Sequence, residues 1–175
     1  MSPSSNFFSD SPRGNTNENS LIPELSHPTQ STTSASLSAS DSALLLSITN
    51  KYPQFTFKPG QKFLFRPPHT IHYVIGEKNF RFLLLHELAH ALLGHFSYQT
   101  SLERLKIERD AWDYTRSLCS EEKIPFLETV AEAELDTYRN WVHQKTLCKK
   151  CGLSCIEVNK TTLFCPKCQK TYERP

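Results

Sequence analysis

The sequence contains no uninterrupted run of about 18 apolar residues, the length that a helix needs to cross a bilayer. Its first residues also lack a charged segment followed by a short apolar one, so we expect no secretory signal peptide. Large apolar side chains are scarce in residues 1–40, which are mostly Ser, Thr, Asn and Pro. We therefore expect a disordered tail there, because so little buried surface cannot offset the entropy of ordering. Together these absences predict a cytoplasmic protein that makes no membrane contact.

The most distinctive pattern lies in residues 86–95, which read HELAHALLGH. Residues four apart share one face of a helix, so His86 and His90 can direct two ring nitrogens at one metal ion. Glu87 lies beside them, where it can act as a general base without binding the metal, as in the H-E-x-x-H signature of zinc proteases. The surrounding segment 81–93 should be almost wholly buried, and polar groups are costly there unless a ligand satisfies them. We therefore predict a metal site.

A catalytic zinc usually has three protein ligands, so two histidines leave one ligand to be found. The metzincin pattern H-E-x-x-H-x-x-G-x-x-H is excluded, because Leu93 and Phe96 stand at its glycine and its third histidine. Gly94 is better explained as the residue that ends the helix. We expect His95, just beyond it, to be a cation near the helix C-terminus and not a ligand.

The next helix, predicted for residues 100–120, carries the candidates for the third ligand. Its apolar residues follow a helical period. The carboxylates among them are Glu103, Glu108, Asp110 and Asp113. Glu108 shares a face with Trp112, which should be buried, so periodicity favours Glu108 slightly over Asp110. The alternative for each of these acids is a solvated face, on which it pairs with a neighbouring Arg or Lys.

The motif HELAHALLGH, followed by ERDAWDYT at residues 108–115, resembles the ImmA/IrrE family of gluzincin-like metallopeptidases. The resemblance covers about residues 55–140. It implies that Glu108 is the third metal ligand. It also aligns Asp110, Ala111 and Tyr114 with the acid, the alanine and the aromatic residue of the family's second motif.

The chain departs from that second motif at two positions. Trp112 stands where Asn or Asp is usual, and Thr115 stands where Ala is usual. The first departure removes a polar group that would orient a metal-binding histidine. Asp110 or Asp113 can take over that role.

Other elements of a small sheet and a third helix surround these motifs. A short helix should begin at Asp41 or Ser42 and end before Pro53. Residues 62–66 and 70–75 have the alternation of strands and should pair as a hairpin. In H-E-x-x-H peptidases such a strand forms the rim of the cleft, where an extended substrate adds to the sheet edge.

A helix predicted for residues 125–144 has Pro125 in its first turn and should pack on the first two helices. Tyr138 and His143 on it are candidate oxyanion donors, although packing and surface roles are the simpler explanations. The same simple explanation applies to His69 and His72 on the hairpin.

A second metal signal lies near the C-terminus. Two C-x-x-C pairs are separated by a β-like stretch, and they consist of Cys148, Cys151, Cys165 and Cys168. Four thiolates can hold one tetrahedral structural zinc, so we predict a zinc ribbon. Disulfides are the alternative, which a reducing cytosolic setting disfavours. Cys155 can replace Cys151 only at poorer geometry, and Cys119 should be a small buried group.

Positive charge is concentrated in the same region. Residues 141–175 contain seven Lys or Arg against two Glu, whereas the whole chain has a formal net charge of +2. A basic zinc ribbon can contact nucleic acid through its phosphates. Equally, the charges can serve only to keep a small module in solution.

These observations predict an α+β protein, in which a small β-hairpin or sheet packs on a three-helix metallopeptidase core and a zinc ribbon follows. At 175 residues the chain has room for one modest domain and appendages. We expect a tail at residues 1–40, a metallopeptidase domain at 41–145 and the ribbon at 146–175. The predicted cofactors are one catalytic and one structural zinc.

The predicted function is that of a zinc-dependent endopeptidase acting on a protein or peptide, with Glu87 as general base. The family resemblance implies a helix-turn-helix transcriptional repressor as substrate. One alternative is a SprT-like protease acting on DNA-bound proteins, which also joins H-E-x-x-H to a zinc ribbon but uses a more distant third histidine; His143 is the first histidine after His95. Another is a non-enzymatic scaffold that binds a partner, for which Glu87 would not be needed.

Overall fold

The computed structural model describes residues 36–173, which form four helices and two small three-stranded sheets. The chain is therefore of mixed α+β class, as predicted. Except for its last five residues, the predicted tail at residues 1–40 lies outside the described residues. No helix within the described range is long and apolar enough to cross a membrane.

Helix α1 (Ala39–Lys51) begins earlier than the sequence predicts. Ser38 is its N-cap, and the Ser38 hydroxyl accepts a hydrogen bond from the backbone N–H of Asp41 at 3.1 Å. Asp41 thus lies in the first turn, where its negative charge suits the helix dipole. Leu44 and Ile48 of α1 belong to the main hydrophobic core, so the core contains four helices and not three.

The first sheet has strands β1 (Thr56–Pro59), β2 (Leu64–Arg66) and β3 (Thr70–Tyr73) in the order β1-β3-β2. Strands β2 and β3 form the predicted antiparallel hairpin. Strand β1, which pairs with β3 in parallel, was not predicted. Residues 54–58, QFTFK, do alternate, but the strand has only four residues, which are mostly exposed and end at a proline. This arrangement leaves β2 at an edge of the sheet.

Three further helices follow: α2 (Phe80–Leu93), α3 (Ser101–Glu121) and α4 (Glu128–Thr146). Helix α2 is buried on most sides between the sheet and α3, and α3 packs against α4. Helix α4 begins later than predicted, and Pro125 lies before it. Phe126, also before α4, packs edge-on against Phe82 with the ring centroids 5.3 Å apart.

The C-terminal module, residues 147–173, contains strands β4 (Ile156–Glu157), β5 (Thr162–Cys165) and β6 (Lys170–Glu173). They form an antiparallel sheet with a small core of its own. A carboxylate oxygen of Glu157 accepts a hydrogen bond from the backbone N–H of Ser101 at 2.6 Å. This contact joins the module to the beginning of α3. The negative charge of Glu157 suits that place, because helix N-termini favour anions.

Candidate metal centres

The two histidines of the first motif converge on one point beside α2. Their Nε2 atoms lie 3.2 Å apart, and the rings meet nearly edge-on. Both side chains are largely buried, with 8% of His86 and 12% of His90 exposed. The spacing of four residues along a regular helix produces this convergence, as the sequence predicts.

Helix α3 brings Glu108 to the same point. Its Oε2 atom lies 3.5 Å from Nε2 of His86 and 3.3 Å from Nε2 of His90. A tetrahedral zinc with ligand distances of about 2.0–2.1 Å would space its donor atoms about 3.3 Å apart. The three side chains therefore form a group that can hold a metal ion, and their donor atoms match the spacing that zinc requires.

The protonation states of His86 and Glu108 suit a bound cation, whereas His90 would have to lose a proton to bind one. Burial lowers the pKa of His86 to about 4, so this ring is neutral at physiological pH. Burial alone would lower the pKa of His90 and raise that of Glu108. The hydrogen bonds between them reverse both effects, so the pKa of His90 is raised and that of Glu108 is lowered. Glu108 is consequently a carboxylate, the form that binds metal.

Glu87 lies beside the three donors but contacts a different group. Its carboxylate accepts a hydrogen bond from the backbone N–H of Phe65, in the edge strand β2, at 2.5 Å. Burial raises the pKa of Glu87 to about 7. A carboxyl group with a pKa near neutrality can both accept and return a proton at physiological pH.

The far side of His86 lacks the polar partner that metal-binding histidines usually have. Its Nδ1 atom is buried and has no hydrogen-bond partner among the described residues. Instead, the indole of Trp112 stacks on the imidazole, with the centroids 3.7 Å apart and the planes 19° from parallel. Neither predicted substitute reaches this atom, since Asp110 pairs with Arg109 at 2.6 Å and Asp113 is exposed.

His95 is the neighbour of His90, as Trp112 is the neighbour of His86. The Nδ1 atoms of the two rings lie 3.1 Å apart, at hydrogen-bond distance. Burial and the neighbouring His90 lower the pKa of His95, so a neutral ring is favoured over the expected cation. The sequence hint for this contact is that His95 directly follows Gly94, the glycine that reverses the chain. Helical periodicity does not predict the contact, because it does not extend past the end of a helix.

The other histidines among the described residues lie outside this group. His69 and His143 are exposed, and His72 is half-buried beside Gly60. Glu103, another candidate carboxylate, belongs to the N-terminal cap of α3, where it accepts from the backbone N–H of Gln99 at 2.5 Å. The third position beside the histidine pair is therefore occupied by Glu108 and not by His143.

The C-terminal module brings four cysteines together as a second candidate metal group: Cys148, Cys151, Cys165 and Cys168. The Sγ atoms of Cys148 and Cys168 are 3.9 Å apart, and those of Cys151 and Cys165 are 3.5 Å apart. Tetrahedral zinc with Zn–S distances of about 2.3 Å would separate its sulfur atoms by about 3.8 Å.

The surroundings of these thiols favour ionisation of at least one of them. Burial would raise the pKa of Cys148, but the backbone N–H groups of Cys151 and Lys150 outweigh it and lower that pKa to about 6. Cys155 is buried beside the group, and burial raises its pKa to about 11. Cys155 is not among the four grouped cysteines, so it remains a spare thiol.

No protein-family model, no curated protein and no solved structure matches this chain. Any assignment of function therefore depends on the geometry and chemistry of the two groups.

Proposed function

We propose that this protein is a zinc-dependent endopeptidase, with His86, His90 and Glu108 as zinc ligands and Glu87 as general base. The observation that carries the proposal is the convergence of three donor atoms, 3.2–3.5 Å apart, beside a carboxylate that is not one of them. A purely structural site would need no such fourth group. The two motifs that resemble the ImmA/IrrE family lend further support.

Zinc, when bound, supplies the Lewis acidity that activates a water molecule and polarises the carbonyl of the scissile peptide bond. Glu87 accepts the proton of the attacking water and passes it to the leaving amine. Its pKa of about 7 suits both steps. His95 and Trp112 hold the two imidazoles in place, one by a hydrogen bond and the other by stacking.

Strand β2 offers a place for the peptide. It is an edge strand, and the N–H of Phe65 points out of the sheet towards Glu87. An extended peptide that pairs with this edge would pass beside the general base. We propose a helix-turn-helix transcriptional repressor as substrate on the resemblance to the ImmA/IrrE family alone. We also propose that the C-terminal module is a zinc ribbon; contact with nucleic acid through its basic residues stays a prediction.

The position of Glu108 beside the histidine pair favours this class over a SprT-like protease, which would need a distant histidine there. The scaffold alternative is tested by Glu87→Gln, because an amide cannot accept a proton. The variant should keep its zinc content and melting temperature, yet fail to cut a repressor encoded beside the gene in a co-expression assay.

The matched control is Glu132→Gln, which neutralises an exposed carboxylate on α4. We expect it to cut as the wild type does. Full cleavage by Glu87→Gln would contradict the hydrolytic mechanism. Loss of zinc from that variant would instead make Glu87 a structural residue.

A further inference from the structure

One arginine near the candidate metal group of His86, His90 and Glu108 has no carboxylate partner among the described residues. Arg104 precedes Glu108 by four residues on α3, so both side chains lie on the same face of that helix. Its guanidinium is half-buried, and it acts electrostatically on both Glu108 and His90.

Three aromatic rings hold this guanidinium. Its central carbon lies 5.1 Å from the ring centroid of Tyr98, 5.3 Å from that of Tyr138 and 5.4 Å from that of Trp141. These rings, which we call the aromatic cage, come from the loop after α2 and from α4. One Nη atom also donates to the hydroxyl of Tyr98 at 2.9 Å. Cation–π contacts of this kind fix the orientation of the planar group, and the bond to Tyr98 uses only one of its five N–H donors.

The other arginines of α3 and α4 are all neutralised. Arg109, Arg116 and Arg139 each pair with a carboxylate at 2.6–2.9 Å. Within residues 36–173, no carboxylate comes within the 4.0 Å ion-pair distance of Arg104. Burial would lower the pKa of Arg104, but Tyr138, Tyr98 and Glu108 raise it, so the side chain stays a cation.

The surroundings of Arg104 point to an anionic ligand. The carboxylate of Glu108, one turn away on α3, is directed at His86 and His90, which leaves Arg104 with no ion-pair partner among the described residues. An uncompensated cation that is partly removed from water is costly unless a ligand neutralises it.

We propose that Arg104 is the docking point for a carboxylate of the peptide substrate. The carboxylate belongs either to the end of the peptide chain or to an Asp or Glu side chain near the cut site, and naming a peptide rests on the proposed function. The guanidinium edge matches a carboxylate with two parallel hydrogen bonds, which a neutral amide cannot form. The aromatic cage strengthens these bonds by excluding water from the rest of the group.

The two tryptophans of the chain provide separate reporters for a binding test. Trp141 belongs to the cage, and Trp112 stacks on His86 at the metal centre. We would record the two indole N–H signals of full-length, zinc-loaded Glu87→Gln by NMR, assigning them with Trp141→Phe. The probes are N-acetyl-trialanine as free acid and as amide, and amidated N-acetyl-Ala-Glu-Ala and N-acetyl-Ala-Gln-Ala.

We expect at least one carboxylate peptide to shift the Trp141 signal with an affinity about 10- to 100-fold above that of its amide partner. A response to the free acid of trialanine assigns the chain end, and a response to the Glu peptide assigns an internal acidic residue. Arg104→Gln should abolish the preference, Arg104→Lys should retain only part of it, and the exposed control Arg109→Gln should leave it unchanged.

Two results would overturn the proposal: equal binding of carboxylate and amide peptides, or the same preference in Arg104→Gln, which would place the carboxylate on the metal. Zinc content and melting temperature identify a variant that has lost its fold, in which case Arg104→Lys decides. Binding requires no hydrolysis, so this outcome is independent of whether the wild type cuts any substrate.

Discussion

In the first candidate metal group, two different kinds of neighbour hold the imidazoles of His86 and His90 in place. A hydrogen bond usually orients a metal-binding imidazole, and His95 offers such a bond to His90. His86 is instead held by the face of Trp112, which itself stacks on Phe82. Stacking at His86 thus takes the place that a hydrogen bond has at His90.

Glu108→Ala should remove the metal from the first group while leaving the cysteine group loaded, because Glu108 is the third donor that the described residues supply. Asp110→Ala and Asp113→Ala should bind the metal as the wild type does, since their carboxylates contact neither histidine. Metal analysis of the three purified variants checks this. An empty site in Asp110→Ala with a full one in Glu108→Ala would reverse the assignment.

His95→Ala should weaken metal binding by the first group about 10- to 100-fold, as is typical when the partner of a ligand is lost. His95→Asn should recover part of the affinity, because its amide can still hydrogen-bond to the ring of His90. Competition with a chelator of known affinity measures both effects. Equal affinities for the wild type and His95→Ala would show that His90 needs no partner.

Cys119 should make stability depend on pH in the alkaline range. Burial raises its pKa from 9.0 to about 11. The unfolded thiol therefore ionises first as the pH rises, and the free energy of unfolding falls. Between about pH 8.5 and 10, the wild type should lose stability relative to Cys119→Ala, in denaturant titrations of both proteins. A constant difference over this range would contradict a buried, protonated thiol.

At the scale of the elements, helix α2 owes its sharp end to one glycine. Gly94 has φ +67°, and the next N–H, that of His95, bonds to the carbonyl of His90 at 3.1 Å. This left-handed residue reverses the chain one turn after His90, the second candidate ligand. The reversal is what brings the ring of His95 against that of His90.

Gly94→Ala should lower the free energy of unfolding by about 1–2 kcal/mol, the cost of a side chain in the left-handed region. Steric overlap adds little, since a Cβ there would be 3.9 Å from the nearest atom, in Phe96. Gly94→Asn should cost less, because asparagine tolerates this conformation. Denaturant titration measures both variants, and equal losses would contradict a cause in backbone strain.

At the scale of the whole molecule, the two candidate metal groups are built in opposite ways. The first takes two ligands from one regular helix and the third from its neighbour, so a hydrophobic core must form before the donors meet. The second takes all four from the C-terminal module, which has only a small core of its own. Modules of this size usually need a metal for stability.

The purified chain should therefore bind two zinc ions. A double Cys148→Ser and Cys165→Ser variant should bind one, retained by His86, His90 and Glu108. Glu157 joins the module to the N-terminus of α3, so this variant should also melt at a lower temperature. Zinc analysis and thermal denaturation test these points, and one zinc in the wild type that the double substitution does not change would exclude a metal in the module.

Patterns within one element were predictable from the sequence. Each such pattern depends only on the geometry of a few neighbouring residues. The examples are the spacing of His86 and His90, the glycine that ends α2 and the two C-x-x-C pairs. The strands of the β2–β3 hairpin alternate well enough to be recognised. Strand β1 also lies in an alternating stretch, residues 54–58, but it is short and mostly exposed, and its parallel pairing with β3 is a contact that only the tertiary structure reveals.

Relations between elements were decided only by the tertiary structure. Periodicity left Glu108 barely ahead of Asp110, and it is the packing of α3 on α2 that directs Glu108 at the histidines, whereas Asp110 pairs with its neighbour Arg109 on the same helix. The stack of Trp112 on His86 and the cage around Arg104 likewise join residues from different helices and loops. Sequence spacing determines which residues share a face of one helix, but only the docking of two surfaces determines what that face meets.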